Sequence, residues 1–173
     1  MAKVVVPKVA IDSCVFVNVL CRGDDPGEPE RFPHSVQVFE AVASGGLQAI
    51  ISALVPAEVL GAHSIRGTAE KRDEMYRRRK DARAWLTNGN FMLVEVERTI
   101  VEQAADLAHT HQLKGADAVI LASAIEAACD VLYTWDDDLL KVEGRVDVAI
   151  RTPDAYIPGG DPDLFALAES GEG

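Results

Sequence analysis

Short runs rich in Val, Ile and Leu recur along the chain at residues 8–11, 47–51, 91–96, 131–134 and 146–150, and stretches of helical character separate most of them. Neighbouring parallel strands need a long crossover between them, usually a helix, whereas antiparallel strands can be joined by a tight turn. Alternating strands and helices therefore predict an α/β fold with a mainly parallel central sheet flanked by helices. Aromatic residues make up only 6% of the chain, so aliphatic side chains must fill the core, as expected of strands buried on both faces.

The helical stretches have readable limits. Residues 35–44 form a helix stopped by Gly45 and Gly46, and Pro56 opens a helix that carries Glu58 and continues to about Ser64. After Gly67, a long polar helix runs from Thr68 to Leu86 and stops at Asn88-Gly89-Asn90. Thr99, with Glu102 three residues on, has capping-box spacing and starts a helix reaching about His111. Gly115 ends the next connector, and Asp117 opens an Ala-rich helix. The segment after Ile11 reads as a turn-rich loop, most polar at residues 23–30.

At 173 residues and 48% hydrophobic content the chain suits a single compact domain, placed at 1–158, with an acidic tail at 159–173. No apolar run is long enough to span a bilayer, and the N-terminal apolar stretch is too short for a signal peptide, so a cytoplasmic protein without a membrane partner is expected. Cys14, Cys21 and Cys129 form an odd set without a CxxC pair, which argues against a disulfide framework. Cys14 reads as a small buried apolar residue.

Net charge is −11, which by its sum disfavours a nucleic-acid partner. The distribution says otherwise. Between Arg66 and Arg83 lie eight of the 17 basic residues against four acids, and Arg77, Arg78, Arg79 and Lys80 are the candidate contacts to an RNA backbone. A solvated helix face with acidic partners at helical spacing accounts for the same residues.

Four acids stand at strand ends or in first helical turns: Asp12, Glu58, Asp117 and Asp136. Open α/β sheets bind ligands beyond the carboxyl ends of their strands, so acids from distant parts of the chain can converge there. Taken singly, Asp117 is explained by the helix dipole, Glu58 by a solvated helix and Asp136 by an exposed turn. Taken together they would repel one another unless a cation or a proton intervened. An all-oxygen set favours Mg2+, with Mn2+ as an alternative, over zinc.

The order Ile11-Asp12-Ser13, Ser52 through Glu58, Gly115-Ala116-Asp117-Ala118, Tyr133-Thr134-Trp135-Asp136 and the closing Arg151-Thr152-Pro153 resembles the PIN-domain nucleases over about residues 8–158. Within them it is most similar to the VapC-like ribonuclease toxins of type II toxin-antitoxin pairs. The resemblance implies a PIN-like fold and a Mg2+-dependent endoribonuclease. Asp12, Glu58, Asp117 and Asp136 would be its catalytic and metal-binding acids, Asp138 an accessory metal ligand, and Ser13 and Thr134 supporting hydroxyls. It further implies an RNA substrate, products with 5′-phosphate and 3′-hydroxyl ends, a cognate antitoxin and a homodimer. The chain departs from the commonest toxin pattern at Cys14, in its longer loop at 23–30 and in its acidic tail, and none of these removes an acid.

Other readings fit less well. A receiver-like phosphorelay domain needs adjacent acids at the first strand and a late lysine, whereas Asp12 stands alone there. A dehalogenase-like phosphatase needs a second Asp two residues after the first, where Cys14 stands. A non-catalytic PIN-like binding module is the remaining alternative.

Overall fold

The computed structural model describes residues 6–22, 29–66 and 72–158. Five strands, β1 (Lys8–Ile11), β2 (Gln48–Ser52), β3 (Phe91–Val94), β4 (Val131–Tyr133) and β5 (Ala149–Arg151), form one sheet in the order β3-β2-β1-β4-β5. Every pairing is parallel, so all carboxyl ends lie along one edge. The chain builds outward from β1 to β3 and then crosses to β4 on the other side, which makes the β1/β4 boundary the topological switch point where such sheets open a crevice.

Eight helices are described: α1 (Ser13–Leu20), α2 (Arg31–Ala43), α3 (Val55–Gly61), α4 (His63–Arg66), α5 (Arg72–Asn88), α6 (Arg98–His111), α7 (Gly115–Glu126) and α8 (Asp137–Leu140). The central strands are buried on both faces, with Val9, Ile11, Ala49, Ile51 and Leu132 almost wholly removed from water. Their unbroken apolar runs follow from that environment. α7 lies between β2 and α6 and buries Ala118 together with Ile120 through Ala124. Small alanines let it sit close to both neighbours.

An aromatic cluster ties the other side together. Phe16 of α1 packs on Phe39 of α2, Trp85 of α5 and Phe91 of β3, with ring centroids 4.7, 5.1 and 5.2 Å away. Gly89, just beyond α5, permits this closure, because a Cβ there would run into the Phe91 ring and the Trp85 carbonyl.

Several local expectations are corrected. The segment after Ile11 is helical from Ser13 rather than a loop, and α2 starts at Arg31, earlier than the expected Ser35. The helix of Glu58 ends at Gly61, and a separate turn, α4, follows. Thr99 is not a cap: α6 begins at Arg98 with Glu97 before it, and Glu102 bonds Arg98 at 2.7 Å instead. Gly115 opens α7 rather than ending the connector, and the last strand occupies Ala149–Arg151 rather than starting at Val146. The loop at 23–28, the helix start at Thr68 and the tail at 159–173 lie outside the described residues.

Candidate active site

Asp12 directly follows β1, and its side chain is 3% exposed. Three groups fix it: Thr134 Oγ1 donates to Oδ2 at 2.6 Å, Cys14 Sγ donates to the same oxygen at 3.1 Å, and Ser13 Oγ donates to Oδ1 at 3.3 Å. Thr134, itself fully buried, also accepts the Asp136 backbone N–H at 2.9 Å. One hydroxyl thus joins the ends of β1 and β4.

Asp136 is the N-cap of α8, where its Oδ1 accepts the backbone N–H groups of Asp138 at 2.7 Å and Leu139 at 3.1 Å. These bonds satisfy donors that a helix start leaves open. The expected exposed turn at 136–138 is therefore a capped helical turn. Asp138 is half-exposed and bonds Lys141 at 2.7 Å, with Lys114 at 3.9 Å. The Lys141 hydrogen bond and charge hold its carboxyl below the usual range.

Glu58 sits in the first turn of α3, behind Pro56, and Asp117 in the first turn of α7. Burial raises the pKa of Glu58, and the charges of Asp12 and Asp117 raise it further, while a hydrogen bond from Ser13 acts the other way. Burial also raises that of Asp117, with the charges of Asp136, Asp12 and Asp138 adding to the effect and Lys114 opposing it. The fold thus gathers acids from β1, α3, α7 and the β4 end into one electrostatic cluster. A buried hydrogen bond of 3.0 Å between Ser123 and Ser52 holds α7 against the end of β2, upstream of Glu58.

Glu58 Oε2 and Asp117 Oδ2 are buried without any hydrogen-bond partner. A buried unsatisfied carboxylate oxygen is costly, and a hard divalent cation is the ligand whose chemistry matches an all-oxygen set. The residues present therefore fit Mg2+ or Mn2+. Among the described residues, however, no three acidic, His or Cys side chains stand close enough to form a ready-made cage.

Cys14 differs from its apolar reading. It donates to Asp12 and accepts the Trp135 backbone N–H at 3.2 Å, and burial, reinforced by the Asp12 charge, holds its thiol pKa well above the usual value. A protonated thiol serves as a hydrogen-bond donor and not as a nucleophile.

Beside the acids an open pocket of about 390 Å3 is lined by Ser13, Asn18, Arg31, Glu58 and Trp135 among others. Asn18, Arg31 and Trp135 were not picked out as site residues from sequence. The signal for Asn18 was a lone amide in the apolar run Val15 to Leu20, one helical turn after Cys14. Of the basic candidates, Arg77, Arg79 and Lys80 are exposed on α5. Arg78 is mostly covered, and it bonds Glu74 at 3.1 Å and the Ser64 carbonyl at 3.2 Å. None of these four lines the pocket.

A sequence profile of the PIN domain matches residues 9–145. The chain belongs to the PIN-domain family. A comparison with curated protein sequences gives no significant match. Solved structures with this PIN-domain fold include the sarcin-ricin loop cleaving toxin VapC20 of Mycobacterium tuberculosis. It is 19% identical with a TM-score of 0.60, and the match covers 82% of this chain and 98% of that one. A toxin-antitoxin complex from Klebsiella pneumoniae is 21% identical with a TM-score of 0.58, covering 84% and 97%. FitAcB from Neisseria gonorrhoeae is 20% identical with a TM-score of 0.55, covering 86% and 99%. At these identities the likeness shows the PIN fold. Among the described residues no helix is long and apolar enough to cross a membrane.

Proposed function

We propose that this PIN domain is a metal-dependent endoribonuclease and the toxin of a toxin-antitoxin pair, working in the cytoplasm. The observation that carries the reading is the pair of buried, unpartnered carboxylate oxygens on Glu58 and Asp117, set in a cluster with Asp12 and Asp136. Asp12, Glu58, Asp117 and Asp136 would hold Mg2+, or Mn2+ in its place, with Asp138 as an accessory ligand. Bound there, the cation would activate a water and offset charge developing on the scissile phosphate.

The chain's own residues do the positioning. Thr134, Ser13 and Cys14 fix the Asp12 carboxylate before any ligand arrives, so its orientation costs little on binding. The α8 cap engages only Oδ1 of Asp136, and Oδ2 takes neither of these bonds. Arg77, Arg79 and Lys80 supply positive charge for an RNA backbone on a surface that is otherwise acidic.

An antitoxin partner and a homodimer belong to the same proposal. Support for the antitoxin comes from a fold neighbour described as a toxin-antitoxin complex. A small reading frame for a DNA-binding protein beside the gene, and co-purification of its product, are the expected observations.

The deciding experiment incubates wild type and Asp12→Asn with structured RNAs, with and without Mg2+ or Mn2+, and maps the product ends. Metal-dependent cleavage by wild type alone, leaving 5′-phosphate and 3′-hydroxyl ends, is expected, and cyclic phosphate ends would contradict it. The second reading is a PIN-like binding module without catalysis. Calorimetry showing no Mg2+ or Mn2+ binding, together with no cleavage, would select that reading.

A further inference from the structure

Asn18 is the least explained polar residue of the fold. It is 6% exposed, is among the residues lining the pocket beside the acids, and its buried Oδ1 has no hydrogen-bond partner. Leaving a buried acceptor unmet is costly, so a stable fold retains one where something else meets it. Across the pocket mouth the Arg31 guanidinium lies over the Trp135 ring, 5.0 Å from its centroid, and the indole N–H is anchored to Ser35 Oγ at 2.9 Å. A second open pocket of about 390 Å3 shares Arg31, Trp135 and Asp136 with the first and extends to Lys141. The two pockets adjoin at these three residues.

We propose that the pocket between α1, α3 and Trp135 is a subsite for one unpaired nucleobase of the RNA, its edge read by the Asn18 amide and its face stacked on Arg31. This rests on the nuclease reading above and adds sequence preference to it. An amide offers a donor and an acceptor side by side, the pattern that reads a base edge, and it does so whichever way the amide is turned. Unpaired bases stack on guanidinium planes as on aromatic rings. Glu58 and Asp136 also line the pocket, so a basic protein side chain is the occupant that the test below sets against the base.

The test uses the full chain and four homopolymeric RNA tetranucleotides, read by quenching of tryptophan fluorescence, with Trp135→Phe assigning the signal. Wild type is expected to bind one of the four at least about fivefold more tightly than the others. Asn18→Leu, similar in shape but apolar, should erase that preference and raise Tm, since it removes an unmet buried acceptor. Arg31→Ala should weaken all four RNAs together. Equal affinity for the four in wild type, or a preference unchanged in both variants, overturns the proposal. So does quenching by an arginine-rich peptide but by none of the RNAs, which would assign the pocket to a protein partner. Cleavage is scored separately. Base-selective binding without metal-dependent cleavage keeps the subsite and removes the nuclease reading, whereas cleavage with no base preference beside the cut removes the subsite alone.

Discussion

Thr134 donates a 2.6 Å hydrogen bond to Asp12 across 122 residues of chain, and the same hydroxyl receives the backbone N–H of Asp136. Thr134→Val keeps the shape and removes both bonds, leaving a buried carboxylate oxygen and a backbone donor short of a partner. We expect a loss of about 1–3 kcal/mol in urea unfolding. RNA cleavage should fall further than the population of folded protein does, while Thr134→Ser should recover most of both. Unchanged stability in the valine variant would mean that the bond is incidental.

Glu58 and Asp117 have raised pKa values, so the folded state holds their protons more tightly than the unfolded chain does. Without divalent metal, their contribution is present at acidic pH and is lost as pH rises from the ordinary carboxylate range through the raised values. Tm of the metal-free protein should therefore fall along that rise. Glu58→Gln should flatten the fall and raise Tm at neutral pH. A flat profile in wild type would show that neither burial nor the neighbouring charges raise the two pKa values.

Divalent metal should reverse that trend. A cation bound by the ionised acids stabilises the folded state by mass action, so Mg2+ or Mn2+ is expected to raise Tm more at neutral than at acidic pH. At a hundredfold excess over its dissociation constant, the gain is about 2.7 kcal/mol. Asp12→Asn should lose most of it. An equal shift in that variant would place the metal elsewhere.

The basic helix divides into two kinds of residue. Changing Arg77, Arg79 and Lys80 together to Ala should leave Tm nearly unchanged while weakening RNA binding and reducing its salt slope, as loss of phosphate contacts does. Arg78→Ala should instead destabilise the fold, because its guanidinium ties α5 to the Ser64 carbonyl of α4 while pairing with Glu74 on its own helix. Equal effects on salt slope from both changes would mean that the covered arginine also reaches RNA.

Gly89→Ala tests the aromatic cluster. The added methyl would have to displace the Phe91 ring or the end of α5. Overpacking of this kind costs about 1–3 kcal/mol. Near-UV circular dichroism from Phe16, Phe39, Trp85 and Phe91 should change with it, and an unaltered spectrum with full stability would argue that the loop simply moves aside.

The parallel α/β sheet was legible in the sequence because its buried strands read as apolar runs and its helices have visible stops. The four acids stood out as candidates because they stand at the ends of those runs or in first helical turns. What was missed has physical causes. α1, Ser-Cys-Val-Phe-Val-Asn-Val-Leu, is apolar nearly all round and lacks a helical stripe, so nothing marked it as a helix or its Asn18 as a pocket residue. Thr99 had capping-box spacing, but Arg98 takes the Glu102 carboxylate that the motif would need. Cys14 reads as apolar in any sequence, and only its closeness to Asp12 and Trp135 makes it a donor.

The sheet order has a consequence for how the protein is made. β1 leaves the ribosome first, yet its partner β4 and the hydroxyl that fixes Asp12 come from the last third of the chain. A nascent chain that has completed β1 through β3 carries Asp12 and Glu58 but neither Asp117 nor Asp136. Whatever the acids do together therefore waits until β4 and the turn after it have been made. On the nuclease reading, topology alone ties the activity to chains that have passed β4.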